Sequence, residues 1–132
     1  MIAPARLAAY DCLTAVARGG LDLAGALEDV RSRLVDPRDR ALATGIATGV
    51  LRWRAALDHL IVGFSRRRLD QIDPEIVQIL RLSAYQLLHL TRVPAAAVVD
   101  DGVNLAGRVK KTSAKGFVNA VLRQVSRQRR AL

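Results

Sequence analysis

Residues 75–90, EIVQILRLSAYQLLHL, decide the fold. On a helical wheel their apolar side chains cover most of the circumference, leaving a polar strip of Gln78, Arg81, Tyr85 and His89. A helix with so little polar surface belongs at the centre of a bundle, nearly enclosed by its neighbours. Asp73-Pro74 precedes it, a capping carboxylate followed by a proline at the first helical position, where the missing N–H costs nothing. The same pair recurs at Asp36-Pro37 and marks another helix start.

Between Asp36 and Ser65, the apolar residues Leu42, Ile46, Val50, Trp53, Leu57, Leu60 and Phe64 step by four or three. That spacing predicts one long helix with a core-facing stripe. Gly45 and Gly49 lie on or near the stripe, where a small residue admits a second helix closely or marks a bend. Gly19-Gly20 closes the first segment, Asp22 caps a short second helix, Pro94 opens a fifth and Ser113 caps the last. No segment reads as a strand. The expectation is an all-α bundle of six to seven helices.

Composition agrees with that reading. Apolar residues make up 51% of the 132 and aromatic residues only 4%, a balance carried by Ala, Leu and Val. The length fits one domain spanning 1–132, which on folding buries roughly two-thirds of the surface its unfolded chain exposes. Cys12 is the sole cysteine, so no internal disulfide forms, and no Cys/His cluster has metal-ligand spacing. No apolar run approaches the roughly 20 residues of a membrane span, and the N-terminus lacks a secretory pattern. These features predict a cytoplasmic protein without metal or membrane partner.

The net charge of +9 is unevenly spread. Residues 1–65 carry eight Arg against seven acids, whereas residues 66–132 carry thirteen Lys and Arg against five. After Asp101 no acidic side chain follows, and a field of one sign favours polyanions. Three basic groups stand out. Arg66-Arg67-Arg68 follows the long helix. Lys110, Lys111 and Lys115 surround the start of the last helix, where free N–H groups and the helix dipole make an anion site. Arg123, Arg127 and Arg130 occupy one side of that helix, opposite an apolar stripe of Phe117, Val118, Val121, Leu122 and Val125. Arg6, at the start of the first helix, joins them as a candidate phosphate contact. Exposed aromatics are not interleaved with these groups, so recognition of backbone and shape is expected over stacking on a broad platform.

Catalytic constellations are missing from the pattern. There is no Gly-rich phosphate loop, no serine elbow and no cysteine with a partner base. Cys12 sits on an apolar segment that keeps a thiol protonated and inert. Asp100-Asp101 is the one adjacent carboxylate pair, and consecutive helical residues point about 100° apart, so one tethers a basic neighbour and the other faces water. His89 lacks a second ligand at helical spacing and reads as a hydrogen-bonded or surface histidine.

Three segments together are more specific: TGVLRWRAALDHLI (48–61), ILRLSAYQLLHLTRVPAAAVVDDGVNLA (79–106) and KGFVNAVLR (115–123). In order and spacing they resemble the NusB-like domain at the N-terminus of RsmB-type (Fmu/Sun) ribosomal RNA cytosine methyltransferases. The resemblance covers essentially the whole chain and implies a helical fold of two subbundles with RNA, most of all ribosomal RNA, as partner. It also implies a catalytic domain in cis, binding S-adenosylmethionine and carrying a nucleophilic cysteine. Nothing between Met1 and Leu132 corresponds to that domain, so this chain is expected to be non-catalytic and to bind no cofactor itself, with Arg129 to Leu132 as the entry to a linker. Relatives of the same fold act as transcription antitermination factors on boxA RNA with a ribosomal protein, and GVLRW with NAVLR tilts this chain to the methyltransferase branch. A third role is protein docking, with the basic faces set against the catalytic domain or a ribosomal protein. The chain departs from the family at Ala96, where a histidine is usual, and at Asp100-Asp101, where Asn-Glu is usual.

Overall fold

The computed structural model describes the backbone of residues 1–131 and the side chains through Arg129; Leu132 and the side chains of Arg130 and Ala131 lie outside the described residues. Seven α-helices and two 3₁₀ turns account for the described architecture, with no strand among them. They are α1 (Pro4–Ala17), α2 (Leu23–Arg31), α3 (Pro37–Arg52), α4 (Arg54–Ser65), α5 (Pro74–His89), α6 (Ala95–Arg108) and α7 (Lys115–Ala131). The 3₁₀ turns, Leu69–Gln71 and Thr112–Ala114, lead into α5 and α7. The all-helical expectation holds.

Local chemistry sets most boundaries. Asp22 Oδ1 accepts from the Gly25 N–H at 2.8 Å, and Asp36 Oδ1 from the Arg38 N–H at 2.8 Å, so both cap as their positions predict. Asp73 stands at the N-terminus of α5, but its carboxylate makes no cap bond and pairs with Lys111 Nζ at 3.5 Å. Ser113 does not serve as the cap of α7, because the Thr112–Ala114 turn runs straight into that helix. Gly19, at φ 79°, takes the left-handed conformation just beyond α1.

The packing forms two subbundles that share α5. Helices α1, α2 and α3 pack on one another, α4, α6 and α7 gather on the other side, and α5 touches α1, α3, α4, α6 and α7. Ile79, Leu80, Leu82, Ala84 and Leu87 of α5 are wholly buried, as the 75–90 pattern requires. Its polar positions are met individually. Arg81 makes a two-pronged ion pair with Asp58 of α4, at 2.7 and 2.9 Å, and buried Gln86 donates to the Leu82 carbonyl at 2.9 Å.

One expectation is corrected. The single helix read from Asp36 to Ser65 is two, broken at Trp53, whose φ of −103° and ψ of 16° leave the helical region. Gly49 sets the approach of α3 to α5 one turn before the break: a Cβ there would overlap the Tyr85 ring, so the two helices meet ring against backbone. Helix α4 then leaves α3 to pack on α5 and α7. Gly102 has a similar role in the second subbundle, where an added Cβ would lie 2.8 Å from Leu122 Cδ1.

Candidate nucleic-acid interface

The Arg66–Arg68 loop begins where α4 ends. Arg66 adopts a left-handed backbone (φ 58°) that stops the helix, and all three arginines are exposed. The Arg67 guanidinium lies 4.4 Å from the centroid of the Phe117 ring, a cation–π contact that seats the loop against the first turn of α7. Arg68 pairs loosely with Asp70 at 3.2 Å, with both side chains exposed.

The lysines stand at the same end of the molecule. Lys110 also has a left-handed backbone (φ 63°) and an exposed side chain. The Lys111 N–H closes the turn by donating to the Ala106 carbonyl at 2.8 Å, while its ammonium reaches Asp73. Lys115 lies over Gly107, where a Cβ would come within 2.7 Å of its Cε. Six of the expected residues, Arg66, Arg67, Arg68, Lys110, Lys111 and Lys115, therefore gather where α7 begins.

Arg123 and Arg127 are exposed further along α7 and line a shallow groove with Ala95, Val99 and Asp100 of α6. They extend the basic surface without joining the first cluster. Arg130, named with them from the sequence, has its side chain outside the described residues. Its neighbour Arg129 is engaged otherwise, its Nη2 donating to the Thr91 carbonyl at 2.6 Å and its Nη1 to the Val93 carbonyl at 3.2 Å.

Arg6 is corrected outright as a surface group. It is 7% exposed, its Nη1 lies 2.8 Å from Asp101 Oδ2, and its Nε donates to Gln86 Oε1 at 2.8 Å. The same carboxylate accepts from the Ala3 N–H at 3.1 Å. Stripping water from a guanidinium is costly, and the carboxylate and amide on its two edges offset that cost. Asp101 is thus the tethering member of the acidic pair, and Asp100 faces water.

Sequence reasoning missed an aromatic feature. His89 is exposed, as expected, but it lies between two rings: Tyr85 at a centroid distance of 5.0 Å and Trp53 at 5.1 Å, inclined by 23° and 21°. The signal was present as a matched four-residue step, 49 to 53 on α3 and 85 to 89 on α5. Cys12, by contrast, is wholly buried and burial pushes its thiol up from 9.0, as its apolar setting implies. Among the described residues no cluster of His, Cys, Asp or Glu could hold a metal ion, and no helix is long and apolar enough to cross a membrane.

This helical frame is that of a known group of proteins. The chain belongs to the NusB family, whose pattern matches residues 3–127. It is 37% identical over 123 residues to ribosomal RNA small subunit methyltransferase B of Pseudomonas putida, covering 93% of this chain but 28% of that protein. The chain thus spans little more than a quarter of that relative. It is also 40% identical over 82 residues to the transcription antitermination protein NusB of Marinobacter nauticus, covering 62% of this chain and 52% of that one. Among solved structures, antitermination factor NusB, crystallised with NusE and double-stranded RNA, superposes with a TM-score of 0.84 at 20% identity over 95% of each chain.

Proposed function

We propose that this chain is an RNA-binding module of a ribosomal RNA cytosine methyltransferase, holding ribosomal RNA for a catalytic domain in cis. Chemistry and S-adenosylmethionine belong to that domain, and this module contributes affinity and orientation in the cytoplasm. The observation that carries the reading is the Arg67–Phe117 contact, which sets the arginine loop against the first turn of α7, the helix that Lys110 and Lys111 precede and Lys115 opens. Such a surface meets phosphates from two directions and reads backbone and shape, not base sequence. Arg123 and Arg127 extend the track along α7. The P. putida methyltransferase supports this branch by matching nearly the whole chain.

A titration tests it: a small-subunit ribosomal RNA hairpin and an unrelated hairpin, each at low and near-physiological salt. The expected result is binding that weakens steeply with salt, with Lys110→Ala/Lys111→Ala flattening the log–log salt slope by about one unit for each phosphate no longer neutralised. An unchanged slope overturns this assignment of the site. The similarity to M. nauticus NusB favours a second reading, a stand-alone antitermination factor, and a clear preference for boxA-like RNA over the ribosomal hairpin would select it.

A further inference from the structure

We infer that Trp53 is a stacking site for one unpaired nucleobase of a bound RNA, separate from the phosphate-binding end of the molecule. The proposal rests on the RNA-binding reading and adds a ligand group and a place to it.

Trp53 is the only tryptophan in the chain and is 44% exposed, although a residue of this size normally gives most of its surface to a core. It sits at the α3–α4 break, outside both helices. One indole face is taken by His89, which rests in turn on Tyr85, which is seated against the backbone of Gly49. The Trp53 backbone N–H donates to the Gly49 carbonyl at 2.9 Å, which holds the backbone at the break. Among the described residues no further ring or guanidinium covers the indole.

The result is a preorganised aromatic ledge of three rings with an exposed end. A flat π surface held in one orientation accepts a base without the entropy cost of ordering a loose side chain. Charge decides between possible occupants. Arg52 and Arg54 flank the indole in sequence and Arg92 follows His89 by three residues, all exposed. An exposed ring on a positively charged stretch of chain suits a nucleotide, whose base lies on the ring while the local charge attracts its phosphates. Paired bases offer no free face, so the site takes a bulged, looped or end nucleotide.

Three versions of one hairpin test this directly: a fully paired stem, the stem with a single bulged adenosine, and the stem with an abasic residue at the bulge. Binding is followed by anisotropy of the labelled RNA and by Trp53 emission. The expected result is quenching by the bulged RNA alone, with affinity roughly 5- to 100-fold above the abasic version. Trp53→Ala removes that preference and keeps salt-dependent binding to the paired stem, and Trp53→Phe restores part of it. The comparison of three RNAs on the unaltered chain needs no variant to fold. Equal affinities with unchanged emission, while salt-dependent binding persists, overturn the stacking site and leave the RNA-binding reading intact. No binding to any hairpin overturns both. A blue shift on adding the catalytic domain of a methyltransferase relative, with none on adding RNA, overturns the proposal in favour of a protein occupant.

Discussion

Arg6 and Asp101, 95 residues apart in sequence, form a 2.8 Å ion pair in which each side chain keeps only 9% of its surface exposed. It ties the start of α1 to the middle of α6, and through Gln86 to α5. Removing one partner strands the other as a buried charge, so Arg6→Met should cost about 3–5 kcal/mol. Arg6→Met/Asp101→Leu should recover much of the loss. Urea unfolding checks both. Any effect of Arg6→Met on RNA binding should follow folding, with the salt dependence of the folded fraction unchanged.

Gly49 leaves no room for a side chain beneath Tyr85. Gly49→Ala should therefore destabilise by roughly 1–3 kcal/mol through overpacking, despite the better helix propensity of alanine. It should also alter Trp53 emission, because displacing Tyr85 disturbs the His89 ring between them. Gly45→Ala is the control: open space surrounds that position, and the substitution should stabilise by up to about 1 kcal/mol.

Among the described residues, the two non-glycine positions with positive φ, Arg66 and Lys110, both belong to the basic end. Glycine adopts this backbone readily, so replacing either with glycine relieves conformational strain of about 1 kcal/mol while deleting a charge. Arg66→Gly/Lys110→Gly is expected to match or exceed the parent in thermal stability and to bind RNA with a shallower salt dependence. Melting curves and a salt series on the same preparation separate the two effects.

Ser83 Oγ is buried in α5 without a hydrogen-bond partner and lies 3.0 Å from where a Cβ of Gly102 would stand. An unsatisfied buried hydroxyl costs free energy that alanine would not, so Ser83→Ala should be neutral or stabilising by up to about 1 kcal/mol. Denaturant midpoints decide.

Burial pushes Cys12 up from 9.0 and Tyr10 up from 10.0. Both groups stay protonated in the folded chain at a pH where the unfolded chain releases its protons. Their contribution is fully present below pH 9 and is lost as pH rises above it. Stability should fall progressively from about pH 9 upward, and Cys12→Ala should blunt the first part of the decline. Thiol labelling of the native chain should be limited by unfolding, since Cys12 has no exposed surface.

What was legible in the sequence is what local chemistry controls. The Asp-Pro pairs locate the starts of α3 and α5, and the wheel of residues 75–90 identifies the central helix. The break at Trp53 escaped because it occupies one residue and barely shifts the phase of the stripe from Leu42 to Phe64. The burial of Arg6 escaped for a different reason: its partners, Gln86 and Asp101, are brought to it only by tertiary packing. The basic segments were visible as composition, but nothing local joins residues 66–68 to residue 117. The Arg67–Phe117 contact forms only once α4 crosses α7.

Arg129 carries a consequence for the last helix. Its guanidinium is fastened to carbonyls at Thr91 and Val93, while Val118, Val121, Leu122 and Val125 are buried on the same helix. Deleting one residue between Val125 and Arg129 would swing the guanidinium by about 100° and shift it about 1.5 Å along the axis, away from those carbonyls. Helix α7 is therefore indexed like a pawl in its tooth: it tolerates exchange of letters on its outer face and resists any change in their number.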